Sequence, residues 1–337
     1  MIGRLFHAWE QQLASVDTNR VIRPFEWGLD WLDLDETSNT PIAQLHAWAD
    51  AAAQGSDAFF SAPATGSYTL DGDRLSFPSA LETPYPVNNT VRVRVFPADA
   101  ARAAGRKRAV VVLPQWNSDE RGHVGLCQLF ARFGVTALRL SLPYHDDRRP
   151  PDLQRAEYIV SSNVGRTVHA NRQAVLDARR TVDWLVDQGY ERIGIMGTSL
   201  GSCLAMLTMA HDPRIRAGAF NHISPYFADV VWRGISTRHV RAGLEGHIDL
   251  ENLRRIWMPI SPWPFISRIR NRHVLMVYAR YDFTFPVDLS RAFLAEFARQ
   301  GIRHDTTVLP CGHYTTGKAP FKFLDGYALT RFFVKKL

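Results

Sequence analysis

From about residue 88 onward the chain alternates two patterns of apolar and polar positions. Short, nearly continuous apolar runs lie at 109–113, 136–140, 192–197, 217–222 and 274–279, with more mixed runs at 90–96 and 305–309. Between them stand longer segments in which apolar residues recur every three or four positions. Strands buried on both faces read as unbroken apolar runs, so the short segments predict strands. The longer ones, at 121–133, 166–188, 200–210, 287–299 and 321–336, predict amphipathic helices. In the longest, Val168, Val175, Leu176, Val182 and Leu185 mark one face, charges take the other, and Gly189 beyond it suits a left-handed cap. Strands alternating with helices predict an α/β fold with a mostly parallel sheet.

Two regions break this alternation. Residues 1–87 read as helices and loops, with a clear helix start at Thr40-Pro41, where Thr can cap and Pro fits the first turn. Residues 225–270 form an unusually long connection rich in Trp232, Trp257, Met258, Trp263 and Phe265, a length that predicts a functional loop or a separate lobe. No apolar run approaches the ~20 residues of a membrane-spanning helix, so no span is expected. The first twelve residues carry one Arg and no apolar stretch of signal-peptide length. Three cysteines, Cys127, Cys203 and Cys311, are odd in number and lack metal-ligand spacing, which predicts reduced thiols and a cytoplasmic location. A net charge of +7 and the cluster Arg254, Arg255, Arg268, Arg270 and Arg272 raise the question of a polyanion partner. The arginines are mixed with carboxylates and no nucleic-acid motif frames them, so none is expected.

The run Arg192-Ile193-Gly194-Ile195-Met196 leads into Gly197-Thr198-Ser199-Leu200-Gly201 and then directly into a helical segment. A serine at such a strand-to-helix turn is forced into a strained conformation, and flanking glycines let strand and helix approach. The helix N-terminus favours negative charge developing beside it. A serine hydroxyl needs a base and an orienting acid. Asp282 follows the 274–279 run with Pro286 close behind, and His313 follows the 305–309 run. Asp288 lies within a predicted helix, His304 and Asp305 precede their strand, and His273 begins one, so each is at the wrong place. The order Ser, Asp, His at three successive strand ends selects Ser199, Asp282 and His313.

On these residues the chain resembles an α/β-hydrolase, a serine esterase or lipase-like member with a cap, over residues 74–337. The resemblance implies a mostly parallel eight-stranded sheet with helices on both faces, a helical extension at 1–73 and a cap insertion at 225–270. Ser199 would attack a carbonyl, His313 would act as general base and then acid, and Asp282 would orient His313. It also implies an oxyanion hole built from the Leu200 N–H and an N–H after strand 109–113. There the chain has Pro114-Gln115-Trp116-Asn117 where many relatives have His-Gly. Proline lacks an N–H, so Trp116 is expected as the second donor and Gln115 next.

The loop after 136–140 holds Tyr144, His145, Asp146 and Asp147. A metal site is disfavoured because two adjacent carboxylates do not readily face one ion; local turn pairs or substrate contact by Tyr144 and His145 remain. The aromatic residues of 225–270, Trp232 among them, either shape an acyl pocket or glue the insertion to the sheet. The expected activity is hydrolysis of a small-molecule carboxylic ester through an acyl-enzyme, with no metal or organic cofactor. A peptidase or acyltransferase with the same triad, and a non-catalytic binding protein on the same scaffold, are the alternatives.

Overall fold

The computed structural model describes residues 2–337; Met1, at the start of the expected extension, lies outside the described residues. The order is α1 (Ile2–Ser15), α2 (Pro41–Gln54), α3 (Ser56–Phe59), β1 (Thr69–Asp71), β2 (Arg74–Pro78), β3 (Thr90–Phe96), α4 (Ala100–Ala103), β4 (Arg108–Leu113), α5 (Val124–Arg132) and β5 (Thr136–Leu140). It continues with α6 (Val164–Asp187), β6 (Arg192–Thr198), α7 (Leu200–His211), β7 (Ile215–Asn221), α8 (Phe227–Arg233), α9 (Arg238–Leu244) and α10 (Leu250–Ile256). The last elements are β8 (His273–Ala279), α11 (Val287–Arg299), β9 (Asp305–Leu309) and α12 (Phe321–Lys336).

The strands form one sheet in the order β1-β2-β3-β5-β4-β6-β7-β8-β9. Pairing is parallel from β5 to β9 and antiparallel among β1, β2, β3 and β5. The expected eight strands are nine, because a small hairpin, β1 with β2, turns at Gly72 with φ +58°. Asp71-Gly72 is itself a hairpin signal, but β1 is exposed throughout and carries no apolar pattern.

Each central strand sends alternate side chains to opposite faces. On β4, Ala109, Val111 and Leu113 join the core under α6 and α7, while Val110 and Val112 join the core under α5 and α12. Helix α6 departs from its amphipathic expectation, since Arg166, Asn171, Gln173 and Asp177 are buried with its apolar face. The N-terminal segment covers that side. Glu26 bridges Asn163, Arg172 donates to the Phe59 carbonyl, and a Cβ on Gly165 would stand 1.9 Å from the Gly28 oxygen. Periodicity reads one helix at a time and is blind to a distant segment lying across it. Gly189 does close α6 in the left-handed region, whereas Thr40 gives α2 no side-chain cap.

The connection from β7 to β8 holds α8, α9 and α10 with further 3-10 turns. Trp257 is fully buried and donates to the Val164 carbonyl, and Phe265 packs edge-on against Phe60 and His211. These residues fasten the insertion to α6 and α7. No described helix is long and apolar enough to cross a membrane.

Candidate active site

The backbone at Ser199 adopts φ +57° and ψ −122° between β6 and α7. Such a conformation costs a non-glycine residue about 1–3 kcal/mol and persists only where its surroundings impose it. Here the imposing element is close packing. A Cβ on Gly197 would stand 1.9 Å from the Gly201 oxygen, and one on Gly201 would stand 2.2 Å from the Leu113 oxygen. Both glycines are therefore required, and Gly201 draws the end of β4 against the first turn of α7. The Ser199 N–H donates to the Asn221 carbonyl at 2.8 Å, and Ser202 Oγ lies 2.6 Å from the Ser199 oxygen and 2.8 Å from that of His222.

Asp282 lies beyond β8 and is almost fully buried. Its Oδ1 accepts the N–H groups of Thr284 and Phe285 at 2.8 and 2.7 Å. Its Oδ2 accepts from His222 Nδ1 at 2.8 Å and His313 Nδ1 at 2.9 Å. One carboxylate thus orients two imidazoles, each with its proton on Nδ1. Their remaining nitrogens differ: Nε2 of His222 is sealed and unpartnered, while that of His313 is not sealed. His313 and Ser199 line the same cavity, of about 1330 Å³. Among the described residues Ser199 Oγ makes no hydrogen bond to either ring. Such contacts are often long without substrate and tighten with it.

Donor atoms 2.8 to 2.9 Å apart are at hydrogen-bond separation. Two ligands on one ion, each at about 2.0–2.2 Å, would stand about 3.4 Å apart, so hydrogen bonding accounts for the His222, Asp282 and His313 cluster. Burial alone would raise the Asp282 pKa; the charge of His313 and the bonds from both rings outweigh it and hold the carboxyl well below its usual range. Burial also opposes charge on His313, but Asp282 outweighs it and the imidazole lies above its ordinary value. For His222, burial and the charge of His313 win, and the pKa falls.

The loop after β4 carries the other expected groups. Among the described residues, the backbone N–H groups of Leu200, Gln115 and Trp116 have no hydrogen-bond partner. The Trp116 indole donates to the Ala156 carbonyl, which anchors the ring. Gln115 is half-buried in the cavity wall.

Tyr144 and His145 border the same cavity as Ser199, but both side chains are buried and held largely by the protein itself. Tyr144 is fully buried at φ +63°, packed against Tyr85 and Tyr158. His145 Nδ1 donates to the Pro143 carbonyl, and its Nε2 accepts the Asn117 N–H at 3.0 Å. Burial lowers its pKa to about 4, so the ring stays neutral and holds the loop bearing Trp116. Asp146 is paired with Arg139 and Ser141. Trp232 is half-buried under the Arg241 guanidinium and is not among the cavity-lining residues described. His222 was not singled out from the sequence; its signal is its place just past the carboxyl end of β7, the edge that carries Ser199, Asp282 and His313.

No protein-family model matches the chain, and no curated protein matches it. Solved structures do. An acylaminoacyl peptidase from Pyrococcus horikoshii superposes with a TM-score of 0.63 at 14% identity, over 80% of this chain and 42% of that one. This chain therefore spans about two fifths of the peptidase's length. Acetyl xylan esterase 1 from Thermoanaerobacterium sp. superposes with a TM-score of 0.58 at 14% identity, over 96% of this chain and 98% of that one. An esterase from Pyrococcus furiosus gives 0.56 at 15% identity, over 82% and 97%. The chain has the α/β-hydrolase fold that these proteins share.

The two imidazoles on Asp282 are expected to titrate apart. As pH falls, His313 protonates first, above the ordinary imidazole value of about 6.5, and His222 protonates below it. Histidine-labelled NMR titration measures both, and His222 protonating before His313 would contradict the assignment.

Proposed function

We propose that this protein is a serine hydrolase that cleaves carboxylic esters through an acyl-enzyme. The observation that carries the reading is the shared cavity: a strained serine at a helix N-terminus faces the same space as an imidazole held by a buried carboxylate. Both imidazoles border the cavity, and His313 is the base, because its Nε2 is not sealed whereas that of His222 is buried.

In the first step His313 Nε2 takes the Ser199 proton as Oγ bonds to the ester carbon. The oxyanion forms beside the Leu200 and Trp116 N–H groups, which are otherwise unengaged; preorganised donors of this kind are each worth about 10²–10³ in rate. His313 then gives its proton to the leaving alkoxide as the C–O bond breaks. A water, deprotonated by the same ring, hydrolyses the acyl-enzyme and restores Ser199. Asp282 keeps the Nδ1 tautomer and stabilises the imidazolium throughout. The sequence calls for no cofactor.

A second, apolar pocket touches Ser199 and Leu200 and is lined by Cys203, Phe227, Val230 and Phe285 among others, with a volume of about 30 Å³. Its small size and apolar lining beside Ser199 suit a short acyl group such as acetyl, leaving the large cavity for the alcohol. Phe227 and Val230 belong to the insertion after β7, so part of that insertion shapes the acyl site while Trp257 and Phe265 anchor it. Acylaminoacyl peptidase among the structural neighbours supports an amide-cleaving alternative, which a parallel assay of aryl esters and acylated amino-acid amides decides.

A fluorophosphonate is expected to label Ser199, and Ser199→Ala to lose both the label and ester turnover. Asp282→Asn should lower kcat by about 10⁴; undiminished labelling of Ser199→Ala would overturn the reading. Acetyl esters should outpace octanoyl esters, and Val230→Ala should shift the preference to longer chains. A chain-length profile unchanged by Val230→Ala would remove the small pocket from the acyl site.

A further inference from the structure

The N-terminal helix α1 reaches both loops that carry the His313 and Asp282 pair. Glu10, 1% exposed, is 304 positions from its partner Tyr314. Its Oε2 accepts the Tyr314 N–H at 2.9 Å, and its Oε1 accepts the Thr315 N–H at 2.8 Å and the Thr315 hydroxyl at 2.7 Å. That hydroxyl in turn accepts the Gly312 N–H at 2.7 Å. The residues on both sides of His313 are thereby fastened to one carboxylate. A Cβ on Gly312 would stand 2.3 Å from Glu10 Cδ, so glycine before the histidine is what admits the carboxylate.

The same helix braces the acid. Phe6 stacks on Tyr281 with centroids 4.8 Å apart and planes 11° apart, and His7 lies 4.3 Å from Phe283. These are the two neighbours of Asp282 in the chain. The Tyr281 N–H also donates to the Cys311 carbonyl, tying the two loops together. Just beyond α1, Arg20 donates to the Tyr314 hydroxyl and to the Ile235 carbonyl of the insertion.

We propose that Glu10 is a positioning residue for His313, making the N-terminal helix part of the catalytic apparatus instead of an appended extension. The inference rests on His313 being the general base. Charge-assisted bonds to buried backbone N–H groups are about twice as strong as neutral ones, and they fix the loop at the residues adjoining the ring. Misplacement of a catalytic group by about 1 Å costs on the order of 100-fold in rate.

The test compares Glu10→Ala, Glu10→Gln and Gly312→Ala in the full chain by short-ester kinetics, thermal melting and the low-field Nδ1–H proton resonance of His313. Each variant should lose on the order of 100-fold in kcat at a temperature where it is folded, with KM within about twofold, and should broaden or shift that resonance. The double variant Glu10→Ala/Gly312→Ala should be no worse than either single, since both break one contact. If Glu10→Ala fails to fold, Glu10→Gln, which keeps size and one acceptor, supplies the same readouts. Wild-type kcat and resonance in folded Glu10 variants would overturn the proposal, as would a lowered melting temperature without loss of kcat. Failure of the wild-type protein to hydrolyse esters or take the fluorophosphonate would instead refute the serine-hydrolase reading beneath it.

Discussion

The Asp282 carboxylate is the point on which the site depends. It sits at the end of β8 and gathers four N–H donors, two from its own turn and one from each of two imidazoles. A buried carboxylate is costly unless paired and hydrogen-bonded; these four bonds offset that cost and leave it no freedom to turn. His313 inherits that rigidity. Its Nδ1 is committed to Asp282, its Nε2 is not sealed, and its face lies parallel to Phe285 at 5.5 Å.

A second constraint is steric. The serine turn exists because β6 and α7 are closer than a side chain at Gly197 would permit, and because α7 lies against the end of β4 where Gly201 has no side chain. One close approach sets the Ser199 backbone and brings the Leu200 N–H near the loop holding Trp116. His145, buried and neutral, then props that loop through the Asn117 N–H. Strain at Ser199, the glycine pair and the propping histidine are parts of one packing solution.

How far this was legible in the sequence follows from the range of each interaction. The buried strands announce themselves as unbroken apolar runs, and Gly197-Thr198-Ser199-Leu200-Gly201 carries its turn within five residues. Asp282 and His313 are recognisable because each follows a strand directly. Of the missed hairpin, β1 is an exposed three-residue strand with no apolar pattern, while β2 does alternate, but its signal is only two buried residues, Leu75 and Phe77. Tyr144 and His145 stand in a polar loop, and only the fold shows that Asn88, Tyr85, Tyr158 and Asn117 hold them buried at the cavity's border. His222 ends its strand as any edge residue might, and its importance comes from a carboxylate 60 positions away. Glu10 is least legible of all, a charged residue on an N-terminal helix whose partners lie at the far end of the chain.

The most direct measurement is the structure of the protein after reaction with an organophosphate. The account predicts phosphorus bonded to Ser199 Oγ, with the phosphoryl oxygen within hydrogen-bonding distance of the Leu200 and Trp116 N–H groups. His313 should stand beside the adduct while still bound to Asp282. An adduct on another residue, or one on Ser199 whose phosphoryl oxygen points away from both N–H groups, would contradict it.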